Sequence, residues 1–391
     1  MPEFRPFPAL RYSPAIDLDL TLAPPYDVLS EADVEELHER DPYNITHIDV
    51  PEDQDYAHAG ALLKQWVDEK VLVRDPMETL SIYRLQFTDH EILAVLGGLE
   101  VVDDAPGASV IPHERVTAKA STDRLDLMRA TSANTSPVWG LSLASGLTEA
   151  LREPGEMARS VTVAGVTHTV ERISDPDRIV AIRDILASDD VLIADGHHRY
   201  GVSRIYRDEV RAATGRTDTR AEQTLAFVNE LVEDQLYLEA IHRLYSGISP
   251  NQLRTALETS FTFSPVESVT SAILDDMVRS GRLVLLWPDG TAEWLTPRPG
   301  AFDGVRNLDG VWLETAMTGI DAEVTYQHGL PEMLDCMATD TYTAGILIRP
   351  TSIDEIRRTA REGLLMPPKS TFFTPKLLTG WVIRPTEPLP R

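Results

Sequence analysis

The sequence predicts an α+β fold with mixed sheets and flanking helices. Segments with period-two apolar alternation occur in pairs separated by short polar turns, which is typical of antiparallel strands. Segments with helical spacing lie between these pairs, and no internal repeat organises them. Because many of these signals indicate antiparallel strands, an α+β architecture is favoured over a doubly wound parallel sheet.

The first half of the chain is expected to contain antiparallel strand pairs with helices between them. Residues 30–40 predict a helix, because Ser30 stands at an N-cap position and Asp33 lies in the first turn. The other elements predicted here are a helix over 56–72, paired strands over 79–88 and 90–102 around a turn at Asp89 and His90, a helix over 121–131, a strand over 137–143, and a hairpin over 160–173 that turns at Ala164 and Gly165.

The second half begins with a helix, a strand and a helix. The elements predicted here are a helix over 176–186, a strand over 191–194 and a helix after Gly196, strands over 224–232 and 236–245, two short helices and a hairpin (282–297) within 249–320, then a strand over 322–328, a helix, a strand over 343–350, a helix over 352–363 and a final strand over 378–385. No linker rich in Pro, Gly or Ser separates autonomous domains.

This order of elements divides the chain into four regions. They are an N-terminal α+β region (1–145), a region that carries an Asp-Gly-His-His-Arg motif (146–248), a smaller α+β insertion (249–320) and a C-terminal segment that completes the site (321–391).

Composition narrows the class of protein. The chain has 391 residues, enough for two or three domains, and 62 acidic against 36 basic residues give a net charge of −26. Such a surface repels phosphate overall, so we expect no nucleic-acid partner. The first residues lack the features of a signal peptide, and no window of about 18 apolar residues could span a bilayer. We therefore expect a cytosolic protein without a membrane partner; its oligomeric state stays open.

Cysteine and lysine usage give two further constraints. Cys336 is the only cysteine, which excludes an internal disulfide framework and a cysteine-based metal cluster. The chain has five lysines against 31 arginines, so the remaining lysines merit inspection. Lys119, Lys369 and Lys376 lie in stretches rich in Thr, Ser and Pro, and a compact ammonium suits phosphate or proton chemistry.

The segment around Asp195 is the strongest candidate for a site. An apolar strand ends at Asp195, Gly196 permits a tight turn, and Val202, Ile205, Tyr206 and Val210 recur at helical spacing. The free N–H groups of a helix N-terminus favour an anion, and Arg199 could clamp a phosphate. Asp195 could hold a metal ion or accept a proton, while His197 and His198 could donate to phosphate or shuttle protons. The alternative is that Asp195 caps the helix and the histidines are ordinary polar residues.

Three other segments concentrate functional groups. Residues 112–140 contain the acid/base pair His113 and Glu114, then Lys119, Asp123 and Arg124, and then the polar run Asn134, Thr135 and Ser136. Residues 364–381 contain Lys369 and Lys376 with Phe372 and Phe373, either as a phosphate-facing loop with an aromatic wall or as a loop that fills the core. Non-helical stretches near the start contribute Tyr26, Asp27, Asn44, His47 and Asp49.

Blocks of this sequence together resemble one prokaryotic family, domain of unknown function 1015. In order along nearly the whole chain they are FRPFPALRY, PPYDVLS, DPYNITHID, HERVTAKASTDRL, ANTSPVWG, ADGHHRY, IHRLY and MPPKSTFFTPKLLTG. Two blocks depart from the family pattern: IHRLY replaces a Pro-Thr-His-Arg-type block, and GVSRIYRDEV follows the histidines where Glu-Thr-Ala is usual. Both departures leave room for an altered substrate.

The Asp-Gly-His-His-Arg block is also similar to the phosphate-binding segment of the ParB and sulfiredoxin superfamily. That resemblance implies a phosphate-handling core and a nucleotide, ATP or ADP, with Mg²⁺. Because the superfamily includes free-serine kinases, it favours a nucleotide-dependent phosphotransferase acting on a small hydroxylated metabolite, with free L-serine as the best guess.

This hypothesis assigns a role to each candidate residue. Asp195, His197, His198 and Glu114 are the catalytic candidates, with Asp195 also the candidate magnesium ligand. The candidate phosphate-binding residues are Gly196, Arg199, Lys119, Arg124, Lys369 and Lys376, and the candidate substrate-binding residues are Tyr26, Asp27, Asn134, Ser136 and His113. If the chain builds one composite site, Asp195, Glu114 and Lys369 should lie within about one substrate length of each other.

Three other functions remain open. A phosphate-ester hydrolase could use the same residues, and a nucleotide-switched binding protein would bind nucleotide tightly but turn it over slowly. A metal-dependent enzyme using His113, His197 and His198 is disfavoured, because adjacent residues at a helix start point about 100° apart and cannot readily share one ion.

Overall fold

The computed structural model describes residues 1–88, 90–105, 107–112, 121–339, 341–367 and 369–386, and these form two compact units. The first unit is Met1–Tyr237 with Ala360–Leu364 and Pro375–Arg391, and the second is Leu238–Thr359 with Leu365–Thr374. The chain therefore enters the second unit twice, at Leu238 and at Leu365, and returns to the first unit each time. Helices and sheets of mixed direction occur in the described residues, which confirms the predicted α+β class.

The described strands of the first unit are β1 (Phe4–Arg5), β2 (Leu10–Tyr12), β3 (Leu72–Arg74), β4 (Leu80–Phe87), β5 (His90–Glu100), β6 (Val110–Pro112), β7 (Ala133–Asn134), β8 (Val138–Ser142), β9 (Glu156–Val163), β10 (Val166–Ile173), β11 (Val191–Asp195), β12 (Gln223–Glu230) and, late in the chain, β21 (Arg384–Pro385). Its described helices are α1 (Leu18–Thr21), α2 (Glu31–Arg40), α3 (Thr46–Asp49), α4 (Tyr56–Asp68), α5 (Ser121–Thr131), α6 (Leu147–Arg152), α7 (Pro176–Leu186) and α8 (His197–Thr214).

Nine of these described strands form one mixed sheet. Its order is β6-β11-β8-β12-β5-β4-β10-β9, and β1 also pairs with β5. The pairs β6/β11 and β8/β12 are parallel, and the other pairs are antiparallel. Apolar side chains of the central strands are buried against helices α6 and α7. This sheet places the end of β11 beside β6 and β8.

The second unit contains the strands β13 (Leu238–Glu239), β14 (Ile241–Ser246), β15 (Phe261–Pro265), β16 (Leu283–Leu286), β17 (Ala292–Pro297), β18 (Glu323–His328), β19 (Ala344–Leu347) and β20 (Phe372–Phe373). Its helices are α9 (Pro250–Glu258), α10 (Ala272–Ser280), α11 (Asp309–Ala316), α12 (Leu330–Met337) and α13 (Ile353–Glu362), the last of which runs past Thr359. Among the described residues, six strands form an antiparallel sheet in the order β15-β17-β16-β19-β14-β18, and β13 pairs with β20.

Strand β16 explains how this second sheet is stabilised. Leu283 and Leu285 belong to the apolar cluster on one face, whereas Val284 and Leu286 belong to the cluster on the other. All four side chains are buried. A strand covered on both faces is apolar at every position, which accounts for the uninterrupted sequence LVLL.

Most predicted elements are confirmed, and their local signals act as expected. Ser30 and Asp33 form a reciprocal capping box at the start of α2. The hairpin of β9 and β10 turns at Ala164 and Gly165, which have φ values of 49° and 79°, as a tight hairpin turn requires. Strands β4 and β5 pair as predicted, but Asp89 in their turn lies outside the described residues.

Four predictions were wrong in detail. Helix α4 ends at Asp68, because Lys70 adopts a left-handed backbone (φ 63°) that a helix cannot continue through. The segment 249–320 contains three described helices instead of two, the third being α11. The predicted final strand over 378–385 pairs as β21 only at Arg384–Pro385. Ile205 is exposed on α8 and does not belong to its buried face.

Candidate functional site

The candidate site is built at the end of β11, in the first unit. Asp195 is the last residue of the strand, Gly196 adopts a left-handed conformation (φ 82°), and α8 begins at His197. The hydroxyl of Tyr200 accepts a hydrogen bond from the Val102 N–H (2.9 Å) and donates one to the Glu100 carbonyl (3.0 Å). These bonds fix the first turn of α8 against the end of β5. The predicted strand, turn and helix are thus confirmed.

Two cations hold the carboxylate of Asp195. The Arg199 guanidinium donates to Asp195 Oδ2 at 2.8 Å and also to the carbonyl oxygen of Pro137. The Nζ atom of Lys376 lies 3.6 Å from Asp195 Oδ1. All three side chains are mostly buried, with 27% of the Asp195 side chain exposed. We call these three residues the Asp195 cluster.

The charges of the cluster keep Asp195 ionised. Burial raises the pKa of Asp195, but Lys376, Arg199, His197 and the Gly196 N–H together lower it more, to about 2. Burial also lowers the pKa of Arg199, but nearby Asp195, Asp27, Tyr26 and Asp49 raise it, and the net effect is upward. Asp195 is therefore ionised and Arg199 protonated at neutral pH.

This pKa predicts a pH-dependent contribution to stability. Because folding lowers the pKa of Asp195 from 3.8 to about 2, the stabilisation is complete above the unfolded value and disappears as the pH falls through the folded one. It amounts to about 2–3 kcal/mol at pH 7 and roughly half of that near pH 3. Urea unfolding of the wild type and of Asp195→Asn should give a difference in unfolding free energy that shrinks between pH 7 and pH 3. A constant difference would contradict this coupling.

The turn at Gly196 predicts that adding a single methyl group at this position lowers the stability of the protein. A Cβ atom there would meet Arg199 side-chain atoms at 3.0 to 3.1 Å, on a backbone that L-residues rarely adopt. We expect Gly196→Ala to lower the free energy of unfolding by about 1–2 kcal/mol. The matched control is Gly201→Ala within α8, where a Cβ meets no atom within 4 Å and alanine should be neutral or stabilising by up to about 1 kcal/mol. Equal losses in thermal melts of the two variants would contradict the prediction.

A second charged group lies next to the cluster. Arg124 donates to the carbonyl oxygen and to Oδ1 of Asp49, both at 2.6 Å, and Thr135 donates to the same Oδ1 at 2.5 Å. The guanidinium also stacks over the ring of Tyr26, 4.1 Å from its centroid. Burial raises the pKa of Tyr26, whereas Arg124 and Arg199 lower it, so both arginines lie near this ring.

Packing of α5 against α8 brings the two arginines together. Leu125 and Met128 of α5 are buried against Val202, Tyr206 and Val210 of α8. Arg124 and Arg199, which precede these apolar residues on their helices, then both line a small cavity of about 40 Å³ with Asn134, Thr135 and Ser136. A space of this size accommodates a water molecule and is too small for a metabolite.

The predicted residues fall into four groups, the last of which is Lys369 in the second unit. One group lies in a single region of the first unit and consists of Tyr26, Arg124, Arg199, Asp195 and Lys376. Asp27 is exposed at the edge of this region. Gly196, His197 and His198 are half-buried at the start of α8. Asn134 and Ser136 line only the small cavity, and Asn134 Oδ1 accepts hydrogen bonds from Leu225 N (3.1 Å) and Arg384 (3.4 Å). His113, Glu114 and Lys119 lie outside the described residues.

Lys369 and the aromatic residues belong to the second unit. The Lys369 carbonyl oxygen accepts a hydrogen bond from Arg243 at 3.3 Å. Phe372 stacks on His328 with ring centroids 4.3 Å apart, and Phe373 is buried. These contacts of the two phenylalanines agree with the alternative in which the loop fills the core.

Two contributors were given no role from the sequence, although Thr135 belongs to the polar run noted there. The carbonyl of Pro137 accepts from Arg199, and Thr135 holds Asp49. The sequence signal for both was the polar run 134–136 in front of Pro137. Strand β7 ends within this run, because a proline cannot donate to a strand ladder. Asn44 accepts from Thr46 and donates to the Leu20 carbonyl at 2.7 Å, and His47 stacks on His38 at 4.3 Å. The predicted non-helical setting of His47 and Asp49 is wrong, because both lie in α3.

The described residues contain no group of three or more His, Cys, Asp or Glu side chains arranged to hold a metal ion. None of the helices in the described part of the chain combines the length and apolar composition needed to cross a membrane.

Comparison with known proteins identifies the family. Residues 4–311 match the family described as "Protein of unknown function (DUF1015)". The chain belongs to the DUF1015 family. This confirms the resemblance seen in the eight sequence blocks. No curated protein matches this DUF1015 chain in sequence.

Several solved structures are similar to this DUF1015 chain at low identity. A conserved hypothetical protein from Pyrococcus furiosus is 11% identical with a TM-score of 0.39, and the match covers 72% of this chain and 92% of that protein. A free serine kinase in complex with AMP is 12% identical with a TM-score of 0.38, covering 68% and 84%. SbnI from Staphylococcus aureus, with a C-terminal truncation, is 12% identical with a TM-score of 0.40, covering 73% and 85%.

Proposed function

We propose that this chain is a cytosolic nucleotide-dependent phosphotransferase that acts on a small hydroxylated metabolite, with free L-serine as the acceptor. The observation that carries the proposal is the Asp195 cluster: an ionised carboxylate orients a lysine and an arginine at the N-terminus of α8. The choice of nucleotide and of serine rests on the sequence similarity of the Asp195–Arg199 segment to free-serine kinases.

The start of α8 has the chemistry of a phosphate-binding site. The first N–H groups of a helix have no acceptor within the helix, and the helix dipole places partial positive charge there. Helix α8 has 18 residues, and the glycine at its start lets the Arg199 side chain lie close to the backbone there. Arg199 and Lys376 would supply the positive charge that neutralises a phosphoryl group during transfer.

Asp195 is better suited to orienting these cations than to accepting a proton. A carboxylate whose pKa is about 2 is a weak base at neutral pH. Its loss would release Arg199 and Lys376 from their positions. The hydroxyl proton of the acceptor therefore needs another base, and Glu114 stays the predicted one, with His197 and His198 as alternatives.

The reaction transfers one phosphoryl group between two oxygens. The bond between the terminal phosphorus of ATP or ADP and its bridging oxygen breaks, a bond forms between that phosphorus and the acceptor hydroxyl oxygen, and the hydroxyl proton passes to the base. The nucleotide leaves with one phosphate fewer. Positioning and charge neutralisation supply most of the catalysis in such reactions.

That Asp195 holds a magnesium ion remains a prediction, and the charges of the neighbouring residues argue against it. Lys376 and Arg199 already lie 3.6 Å and 2.8 Å from its two oxygens, and both would repel a divalent cation. These residues do not fit a magnesium ion bound by Asp195 alone. We therefore assign no catalytic step to a metal ion on this carboxylate.

The edge of the site supports a zwitterionic acceptor. Asp27 is exposed, and its charge acts on Arg199 and Tyr26. A carboxylate in this position would attract the ammonium group of an amino acid, while the nearby guanidinium groups would attract its carboxylate. This arrangement favours an amino acid over a neutral polyol.

Phosphorus NMR tests the proposal directly. The purified protein is incubated with magnesium, ATP or ADP, and a pool of hydroxylated metabolites that contains L-serine. We expect a new phosphomonoester resonance that requires L-serine, with matching loss of the terminal nucleotide phosphate. Nucleotide hydrolysis without any acceptor dependence would favour the hydrolase, and bound but unchanged nucleotide would favour the nucleotide-switched protein; either result contradicts the kinase.

A further inference from the structure

A second cavity in the first unit is lined by four arginines. Its volume is about 350 Å³, within the range of small-metabolite sites. It shares no lining residue with the small cavity beside Arg124 and Arg199. The arginines in its wall are Arg5, Arg183, Arg220 and Arg384, and the acidic residues are Glu78 and Asp218.

Arg384 is a buried cation without an anionic partner in the described part of the chain. Only 2% of the residue is exposed. Its guanidinium donates to neutral oxygens: the carbonyls of Gln223 (2.8 Å) and Arg220 (2.7 Å), the Gln223 side chain (3.2 Å) and Asn134 (3.4 Å). Its Nε atom is buried without a hydrogen-bond partner among the described residues.

The electrostatic cost of this arrangement is visible at Arg384. Burial and, to a smaller extent, the charge of Arg220 together lower the pKa of Arg384 to about 9. Because a guanidinium stays protonated in proteins, this shift reflects the cost of burying an uncompensated charge. An anion in the cavity would reduce that cost.

The acidic residues do not neutralise the wall. Asp218 is exposed and pairs with Arg216 at 2.9 Å, and Glu78 is exposed. Arg183 donates to the Phe4 carbonyl at 3.0 Å and Arg5 pairs with Glu3, so neither is matched with a carboxylate of the cavity wall. A locally positive cavity in a chain of net charge −26 points to a specific anionic ligand.

We propose that this four-arginine cavity is a second binding site, separate from the Asp195 cluster, for a small phosphate-bearing metabolite or for free phosphate. One guanidinium group can donate two parallel hydrogen bonds to two oxygens of a phosphate. Several arginines around one cavity therefore suit a dianion better than a monocarboxylate. The proposal goes beyond the phosphotransferase function and does not depend on it.

Isothermal titration calorimetry with glycerol 3-phosphate, inorganic phosphate and citrate tests this site. The full chain should bind at least one of the two phosphate compounds. Tighter binding of glycerol 3-phosphate would identify a phosphomonoester as the ligand class, and tighter binding of inorganic phosphate would identify free phosphate. Two results would overturn the proposal: binding of citrate alone, or no heat from either phosphate compound. The ligand concentrations are on the order of 10 mM, so that weak binding is also detected.

Variants separate this cavity from the Asp195 cluster. Arg220 is exposed, so Arg220→Gln should fold normally and weaken phosphate binding at least about tenfold; Arg183→Gln is the second test. Arg152→Gln, in the same unit but outside the cavity wall, should bind as the wild type does. Lys376→Met should retain this binding. Loss of all phosphate binding in Lys376→Met, or full binding in both Arg220→Gln and Arg183→Gln, would refute the second site.

Discussion

Asp195→Asn should lower kcat by about 10²- to 10³-fold while the protein stays folded. Asparagine keeps the shape of the side chain but removes the charge that holds Lys376 and Arg199. Misplaced charge stabilisers typically cost 10² to about 10³ in kcat. The stability loss should stay near the charge contribution of about 2–3 kcal/mol, so circular dichroism at 25 °C should remain native. The measurement is serine-dependent phosphorus transfer, followed by NMR.

Asp184→Asn is the matched control for this variant. Asp184 is an exposed residue of α7, in the same unit, and the substitution makes the same change of charge. Its kcat should equal that of the wild type. Full activity in Asp195→Asn would remove Asp195 from the site and with it the central support for the proposed function.

Arg124→Met should lower the free energy of unfolding by about 3–5 kcal/mol. The Asp49 side chain is only 2% exposed, and without Arg124 its charge would be left with Thr135 as a neutral partner. The stacking on Tyr26 would be lost as well. Chemical unfolding monitored by tryptophan fluorescence measures this difference.

Arg129→Met, on the same helix, provides the comparison. Arg129 contacts Asp126 and Glu209, but its side chain is 41% exposed. Solvent screens such pairs, so the loss should be about 1 kcal/mol or less. Equal destabilisation by the two substitutions would show that Asp49 does not depend on Arg124.

Local signals in the sequence were sufficient to predict the core of the candidate site. A strand that ends in Asp195, a glycine and a helical pattern require only neighbouring residues for their interpretation. The bond between Arg124 and Asp49 joins residues 75 positions apart, and that between Thr135 and Asp49 joins residues 86 apart. Such pairings depend on how α3 and α5 pack, and no local pattern encodes them.

The C-terminal lysines show the same limit in another form. Lys369 and Lys376 stand seven residues apart and have similar neighbours, yet the first belongs to the second unit and the second to the first. The final strand illustrates a related failure. Residues 378–384 are all buried, but only Arg384–Pro385 pairs as a strand, and Thr379 and Ile383 make single bridges to Ala23 and Leu10. The burial therefore comes from packing within the first unit rather than from a continuous sheet ladder.

The return of the chain to the first unit has a consequence for protein synthesis. Most of that unit leaves the ribosome before the second unit is made, but Lys376 and β21 follow it. At ordinary rates of translation, on the order of 10 s separates Asp195 from the lysine that faces it. A nascent chain therefore carries Asp195 and Arg199 before the lysine that completes the cluster, and the site is completed only after the second unit has been made.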